Sequence, residues 1–172
     1  MINYNLKTIK ALIFDVDGVL SKSTVSLGAD GQPRRSVNIK DGYALQLAVK
    51  RGLILAIITG AKVKEIELRY KNLGLKEIHI GCNVKLGVFR DLVSRYNLKP
   101  EEIAYMGDDI PDYEVMKEVG LPCCPSDAAT EIKEISKYVS VCKGGEGCAR
   151  DLVEQVLKSQ GSWMSDNTAF GW

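Results

Sequence analysis

The feature that most constrains this chain is a regular exchange of short, unbroken apolar runs with stretches of helical period. Ala11-Leu-Ile-Phe14 and Leu53-Ile-Leu-Ala-Ile-Ile58 are apolar at every residue, not at alternate ones. Ile103-Ala-Tyr-Met106 repeats the pattern and Glu77-Ile-His-Ile80 carries it more weakly. Leu121 to Cys123 and Tyr138 to Val141 read as two last short strands. A strand that is apolar on both faces must be covered on both faces, which is the environment of a parallel sheet. Helical patterns over 42–51, 62–73, 83–96, 111–119, 128–136 and about 147–158 supply that cover. The expected fold class is α/β, a doubly wound, Rossmann-like parallel sheet.

Two segments interrupt the alternation. Thr24 to Leu27 and Arg35 to Ile39, around Gly28-Ala-Asp-Gly31, read as a β-hairpin (about 22–40) inserted after the first strand. It should project beyond the carboxyl edge of the sheet. The segment 161–172 has neither helical nor strand period and holds both tryptophans, Trp163 and Trp172. Exposed aromatics without a core of their own seek a partner surface, which the tail does not supply for itself. The 172 residues otherwise suffice for one domain, over 1–160.

Composition removes several classes of function. The 23 Lys plus Arg against 22 Asp plus Glu leave a net charge of +1, with no overall pull toward nucleic acid or an anionic membrane surface. No apolar run approaches the roughly 20 residues of a spanning helix, and the first residues lack the order of a signal peptide. Five cysteines, two of them adjacent, are not a disulfide framework, and their spacings are not those of a zinc site. The expected compartment is the reducing cytoplasm.

Ligands of an open parallel sheet bind outside the carboxyl ends of its strands. Here those ends gather Asp15 and Asp17 after the first strand, Thr59 and Gly60 after the second, and Asp108, Asp109 and Asp112 after the fourth. Lys85 opens a helix shortly after the third. Each alone reads as a turn, a helix cap or a solvated charge. Five carboxylates on one edge, however, repel one another unless a cation or protons compensate. Oxygen donors without nitrogen or sulfur favour Mg²⁺, which commonly works beside phosphate. A carboxylate beside such an ion can attack phosphorus, with Thr59 and Lys85 receiving the charge of the transferring group. A second acid two residues on lies on the same side of an extended segment, placed to exchange a proton with the leaving oxygen and then with water.

Asp15-Val-Asp17-Gly18-Val-Leu, Thr59-Gly60, Lys85 and Gly107-Asp108-Asp109-Ile-Pro-Asp112 resemble, in order and spacing, the four motifs of the haloacid dehalogenase superfamily. The resemblance spans Ala11 to Asp112. It implies Asp15 as nucleophile and metal ligand, and Asp17 as general acid/base with its main-chain carbonyl on the metal. It further implies Thr59 on a phosphate oxygen, Lys85 neutralising nucleophile and phosphate, and Asp108 completing a Mg²⁺ site. Asp109 and Asp112 would orient Lys85 and the metal's waters. An aspartate at position 17 is what the phosphatases and phosphomutases of the superfamily carry. The two gaps that hold cap domains in most members are too short for one here.

Asn38-Ile-Lys40-Asp41-Gly42, Arg69 with Leu73-Gly74-Leu75, Asp127-Ala128 and Gly144-Gly145-Glu-Gly147 with Arg150 resemble the tetrameric phosphatases of 3-deoxy-D-manno-octulosonate 8-phosphate. That resemblance implies a sugar-acid phosphate substrate, a homotetramer built through the hairpins with the C-terminal tail reaching a neighbouring subunit, and a role in lipopolysaccharide precursor synthesis. The sugar's carboxylate needs positive charge, for which Lys40, Arg69 and Arg150 are the candidates, with Arg34 or Arg35 behind them, and Gly60 lies beside the phosphate. The subfamily often has Arg directly after Thr-Gly, where this chain has Ala61 and then Lys62. A related subgroup acting on the 9-phosphate of the nine-carbon acid KDN carries Glu there and Lys at the glycine of Leu-Gly; Ala61 and Gly74 favour the eight-carbon acid. A phosphomutase would need a cap, and a phosphorylation-receiving signalling module has no use for Asp17.

Overall fold

The structure is a computed structural model that describes residues 2–171. The chain runs β1 (Ala11–Phe14), β2 (Ser26–Leu27), β3 (Pro33–Arg34), α1 (Ile39–Lys50), β4 (Ile54–Ile58), α2 (Lys64–Asn72) and β5 (Glu77–His79). It continues through α3 (Lys85–Arg95), β6 (Ile103–Met106), α4 (Tyr113–Glu118), β7 (Leu121–Cys124), α5 (Thr130–Ile135), β8 (Tyr138–Val139) and α6 (Cys148–Ser159).

Six strands form one sheet in the order β5-β4-β1-β6-β7-β8, and every neighbouring pair is parallel. The apolar runs end up in the middle because each strand has two faces to bury. Leu12, Phe14, Leu55, Ile57 and Met106 pack under α1, α2 and α6 on one face. Ala11, Ile13, Ala56, Ile58 and Tyr105 pack under α3, α4 and α5 on the other. β1 is completely buried, and truncating Phe14 to Ala there would cost about 3–5 kcal/mol.

The winding fixes where a ligand can sit. From β1 the chain steps outward to β4 and β5, and α3 then carries it back to β6 on the other side of β1. The strand order reverses between β1 and β6, so their carboxyl ends flank an open crevice.

The hairpin exists but is shorter than its alternating sequence predicts. Ser26 pairs with Arg34 and Leu27 with Pro33, so the return strand is Pro33–Arg34 and not 35–39. The reason is a helix cap: the Asn38 side chain accepts hydrogen bonds from the Lys40 and Asp41 N–H groups, and α1 starts at Ile39.

The tail also departs from expectation. Trp163 is buried against its own chain, edge-on to Tyr43 with ring centroids 6.1 Å apart. Arg51 grips Asp166 through both oxygens and also donates to the Ser162 carbonyl. Tyr43 Oη donates to the Ala169 carbonyl. Trp163 therefore does have a core within its own chain, supplied by α1 and α6, while Trp172 lies outside the described residues.

Candidate active site

The turn after β1 brings Asp15 into the crevice, and the first residue of α3 brings Lys85 to it from below. Lys85 Nζ lies 2.9 Å from Asp15 Oδ2 and 2.8 Å from Asp112 Oδ1. All three side chains are nearly inaccessible to solvent. Asp112 is placed by the short turn Ile110–Asp112 after β6, where Pro111 starts a helical turn that needs no N–H from it. The Asp112 carboxylate also accepts from Tyr105 Oη at 2.6 Å and, through Oδ2, from the Asp108 N–H at 3.2 Å. It thereby joins the cation, the strand β6 and the Asp108 loop. Gly107 makes this possible, since a β-carbon there would stand 2.4 Å from the Asp112 side chain.

One oxygen each from Asp15, Asp108 and Asp112 lie within 4.8 Å of one another. Burial, followed by the charges of Asp15, Asp112 and Asp109, pushes Asp108 up to about 8. Burial and the Asp112 charge raise Asp15 to about 6, with Lys85 pulling the other way. Burial opposes the Lys85 charge, but Asp112 and Asp15 outweigh it and hold the ammonium above its ordinary value. The protein alone thus leaves these acids short of positive charge. Asp15 Oδ1 is buried and accepts no hydrogen bond among the described residues. A hard divalent cation fits that unpartnered oxygen and that all-oxygen donor set.

Thr59, at the end of β4, is buried beside this group; its Oγ1 accepts from the Ala61 N–H at 3.2 Å, and its carbonyl accepts from the Cys82 N–H. A cavity of about 400 Å³ over the crevice is lined by Asp15, Asp17, Thr59, Gly60, Lys85 and Asp108, with Asp109 exposed at its rim. Every acid, the threonine and the lysine singled out from sequence therefore meet in one place.

Asp17 faces the cavity in an unexpected way. Arg35 donates through Nε at 2.5 Å to Oδ1 and through a terminal nitrogen at 2.8 Å to Oδ2, and Ser21 Oγ adds a contact at 3.3 Å. Arg35 leaves the hairpin just after β3, so this pair ties the hairpin to the crevice. Sequence reasoning missed Tyr105 as well. Its signal was a phenol inside an otherwise aliphatic strand, whose hydroxyl must find a partner when buried.

The basic candidates divide. Lys40 is exposed and Arg150 half-buried beside a separate cavity between the start of α1 and α6, and neither lines the crevice cavity. Arg150 stacks over Tyr43 and Trp163, with its guanidinium carbon 5.9 and 5.3 Å from the ring centroids, and pairs with Glu154. It belongs to the tail's packing because α6 turns that face to α1. Arg69 lies against Gly42 and opens onto a second cavity of about 560 Å³ between the hairpin and the start of α2, where Arg35 also points.

A family model for haloacid dehalogenase-like hydrolases matches residues 84–152. The 3-deoxy-D-manno-octulosonate 8-phosphate phosphatase of Escherichia coli is 37% identical over 155 residues, 90% of this chain and 82% of that one. The chain belongs to this phosphatase family of the haloacid dehalogenase-like hydrolases. Its family fold is seen directly in the solved structure of the Yersinia pestis phosphatase of the same name, at a TM-score of 0.88 and 34% identity over 92% of this chain and 85% of that one. A Moraxella catarrhalis phosphatase of that name, solved in complex with magnesium ion, phosphate ion and KDO, matches at a TM-score of 0.90 and 30% identity, covering 97% and 96% of the two chains. Like a capless member of the superfamily, the chain holds only the hairpin between β1 and α1, and only α2 and β5 between β4 and α3.

Proposed function

We propose that the chain is a Mg²⁺-dependent phosphomonoesterase that hydrolyses 3-deoxy-D-manno-octulosonate 8-phosphate to the free sugar acid and phosphate. The observation that carries this reading is the Asp15 carboxylate, with one oxygen on Lys85 and the other buried and unpartnered among acids that lack positive charge. Asp15, Asp108 and the main-chain carbonyl of Asp17 would hold Mg²⁺, which when bound neutralises the acids and draws charge from a phosphoryl oxygen.

The chain's own groups supply the remaining chemistry. Asp15 attacks phosphorus, forming an aspartyl-phosphate as the bond to the sugar oxygen breaks. Asp17 gives that oxygen its proton, and later takes one from the water whose attack releases phosphate and restores the Asp15 carboxylate. Thr59 Oγ1 donates to a phosphoryl oxygen, and Lys85 offsets the charge that builds up there. Asp112 acts by holding Lys85 and the Asp108 N–H in place. Asp109, exposed at the rim, would orient the waters that a bound Mg²⁺ keeps.

The same reading puts the enzyme in lipopolysaccharide precursor synthesis, in the cytoplasm, as a homotetramer assembled through the hairpins. The exposed Leu27 and Val25 of the hairpin and Ile39 beside it support that assembly, since isolated apolar residues there have no partner in the chain's own core. Among the described residues no helix is long and apolar enough to cross a membrane. Among the described residues of the tail, Met164 and Phe170 are the exposed large apolar side chains available for contact with a neighbour. Sedimentation at micromolar concentration tests the tetramer; a monomer would refute it.

Phosphate release from the eight-carbon and nine-carbon sugar-acid phosphates, side by side with Mg²⁺ and with EDTA, tests the substrate. Metal-dependent preference for the eight-carbon ester is expected. Preference for KDN 9-phosphate would keep the mechanism and overturn the pathway.

A further inference from the structure

Tyr105 is the third residue of β6, completely buried in one layer with Ala11, Ile13, Ala56 and Ile58. Packing alone would be served by phenylalanine, and a phenol there costs free energy unless its hydroxyl finds a partner. A phenol keeps its proton at neutral pH, so Oη is the donor. It donates to Asp112 Oδ1 at 2.6 Å, and the same oxygen accepts from Lys85 Nζ at 2.8 Å. The other Asp112 oxygen accepts from the Asp108 N–H at 3.2 Å. Asp112 is itself out of contact with solvent, so these three donors, and not water, orient its carboxylate.

Sharing one oxygen has two consequences. A carboxylate oxygen offers two lone-pair directions, and the phenol takes one of them. Lys85 is confined to the other, from which its ammonium also reaches Asp15 Oδ2 at 2.9 Å. The phenol's O–H dipole also stabilises part of the charge on that oxygen, so Asp112 grips the ammonium less tightly than it would alone. Both effects bear on Asp15. As Asp15 attacks, negative charge moves from its carboxylate to the phosphoryl oxygens, and the ammonium has to follow it. A pivot that turned freely, or that held the ammonium harder, would keep Lys85 from that charge.

We propose that Tyr105 is a positioning residue for Lys85. Its hydroxyl fixes the Asp112 oxygen on which the ammonium pivots between the free Asp15 carboxylate and the transferring phosphoryl group. The inference rests on the roles read for Asp15 and Lys85 in the proposed function, and adds to them a residue that touches the reacting groups only through Asp112. The charge that Lys85 follows appears only during transfer, so loss of the hydroxyl falls on kcat and leaves KM in place. The Mg²⁺ requirement also stays, because the hydroxyl hydrogen-bonds to none of the groups assigned to the metal.

Tyr105→Phe removes only the oxygen. Phosphate release from the octulosonate ester by the full chain should show kcat lowered about tenfold, with KM and the half-saturating Mg²⁺ concentration each within about twofold of the parent. Beryllofluoride, which with Mg²⁺ takes the place of a phosphoryl group on an aspartate, gives a reading without turnover. The rise in melting temperature that it produces should be clearly smaller in Tyr105→Phe than in the parent. In Asp112→Asn, where the shared anionic oxygen is gone, adding Tyr105→Phe should change kcat by no more than about twofold. Thermal unfolding without ligand shows which variants fold, and Tyr105→Met, which fills the site without a hydroxyl, replaces the phenylalanine variant if that one does not. A kcat within about twofold of the parent, a loss recovered at high Mg²⁺, or a beryllofluoride shift equal to the parent's would overturn the proposal. A full tenfold loss repeated in Asp112→Asn would do the same. If the parent leaves the octulosonate ester intact, the substrate assigned above fails, and the beryllofluoride shifts still decide the part played by Tyr105.

Discussion

A β-carbon on Gly18 would stand 1.8 Å from Asp108 Oδ2 and 2.2 Å from its carboxyl carbon, so the turn after β1 and the loop after β6 meet where only a hydrogen fits. Gly18 also has a φ of 81°, in the left-handed region. Gly144 closes the other side, since its own β-carbon would fall 1.9 Å from the Gly18 carbonyl oxygen. Asp108 is thus held by backbone pressed against its side chain.

Gly18→Ala should therefore act on the metal site before it acts on the fold. Asp108 has to turn away from Asp15, and the half-saturating Mg²⁺ concentration for phosphate release should rise about tenfold or more. The strained φ adds a destabilisation of about 1–2 kcal/mol. Titration of activity with Mg²⁺ measures the first, and an unchanged half-saturation would refute the role given to this contact.

The raised carboxyls set a pH window for metal dependence. In the folded, metal-free chain Asp15 sits at about 6 and Asp108 at about 8, against 3.8 for an ordinary aspartate. The folded chain keeps protons that the unfolded chain has already released, so its stability falls as the pH rises from about 4 toward 8. Mg²⁺ supplies the missing charge, and its stabilising increment should grow across that window. Melting temperatures with EDTA and with Mg²⁺ at about pH 5, 6.5 and 8 test this sign. An equal increment at all three would count against it.

Arg150 offers a test of packing against substrate binding. Its guanidinium is stacked on Tyr43 and Trp163 and paired with Glu154. Arg150→Ala should lower stability by about 1–2 kcal/mol through lost stacking and leave KM within about twofold of the parent. A several-fold rise in KM without a change in melting temperature would restore it as a substrate ligand.

What the sequence made legible follows how local each cause is. β1 and β6 were read to the residue because burial on both faces leaves continuous apolar runs. Asp15, Thr59, Lys85 and Asp108 were read because a strand end or a helix start fixes each of them within its own segment. Arg35, Lys40 and Arg150 were not, because a long cation's destination depends on which way its segment faces. Asn38 starting α1 early shortened the hairpin and sent Arg35 to Asp17. The covering of Trp163 by Tyr43 depends on two residues far apart in sequence. No local pattern announces such a pair.

Asp41 carries the last prediction. It sits at the start of α1, where Oδ1 accepts from the Arg150 N–H in the first turn of α6 at 2.7 Å. Oδ2 is buried and unpartnered among the described residues. Burial pushes the carboxyl up to about 6, with the Arg150 N–H opposing. An unfolded aspartate ionises near 3.8, so the stability this residue lends is present in acid and is lost as the pH climbs from about 4 to 6. In an Asp41→Asn variant the side-chain amide would keep an acceptor for α6 and never ionise. The variant should exceed the parent by no more than about 1 kcal/mol near pH 4.5 and by about 1–3 kcal/mol near pH 8. Asp41→Leu also removes the charge but leaves the α6 N–H without its acceptor, so it should gain less than the amide variant at pH 8 and lose at pH 4.5. Urea unfolding of the three proteins at both pH values measures the differences, and a parent-like pH dependence in Asp41→Asn would show that this carboxylate is not what limits stability at neutral pH.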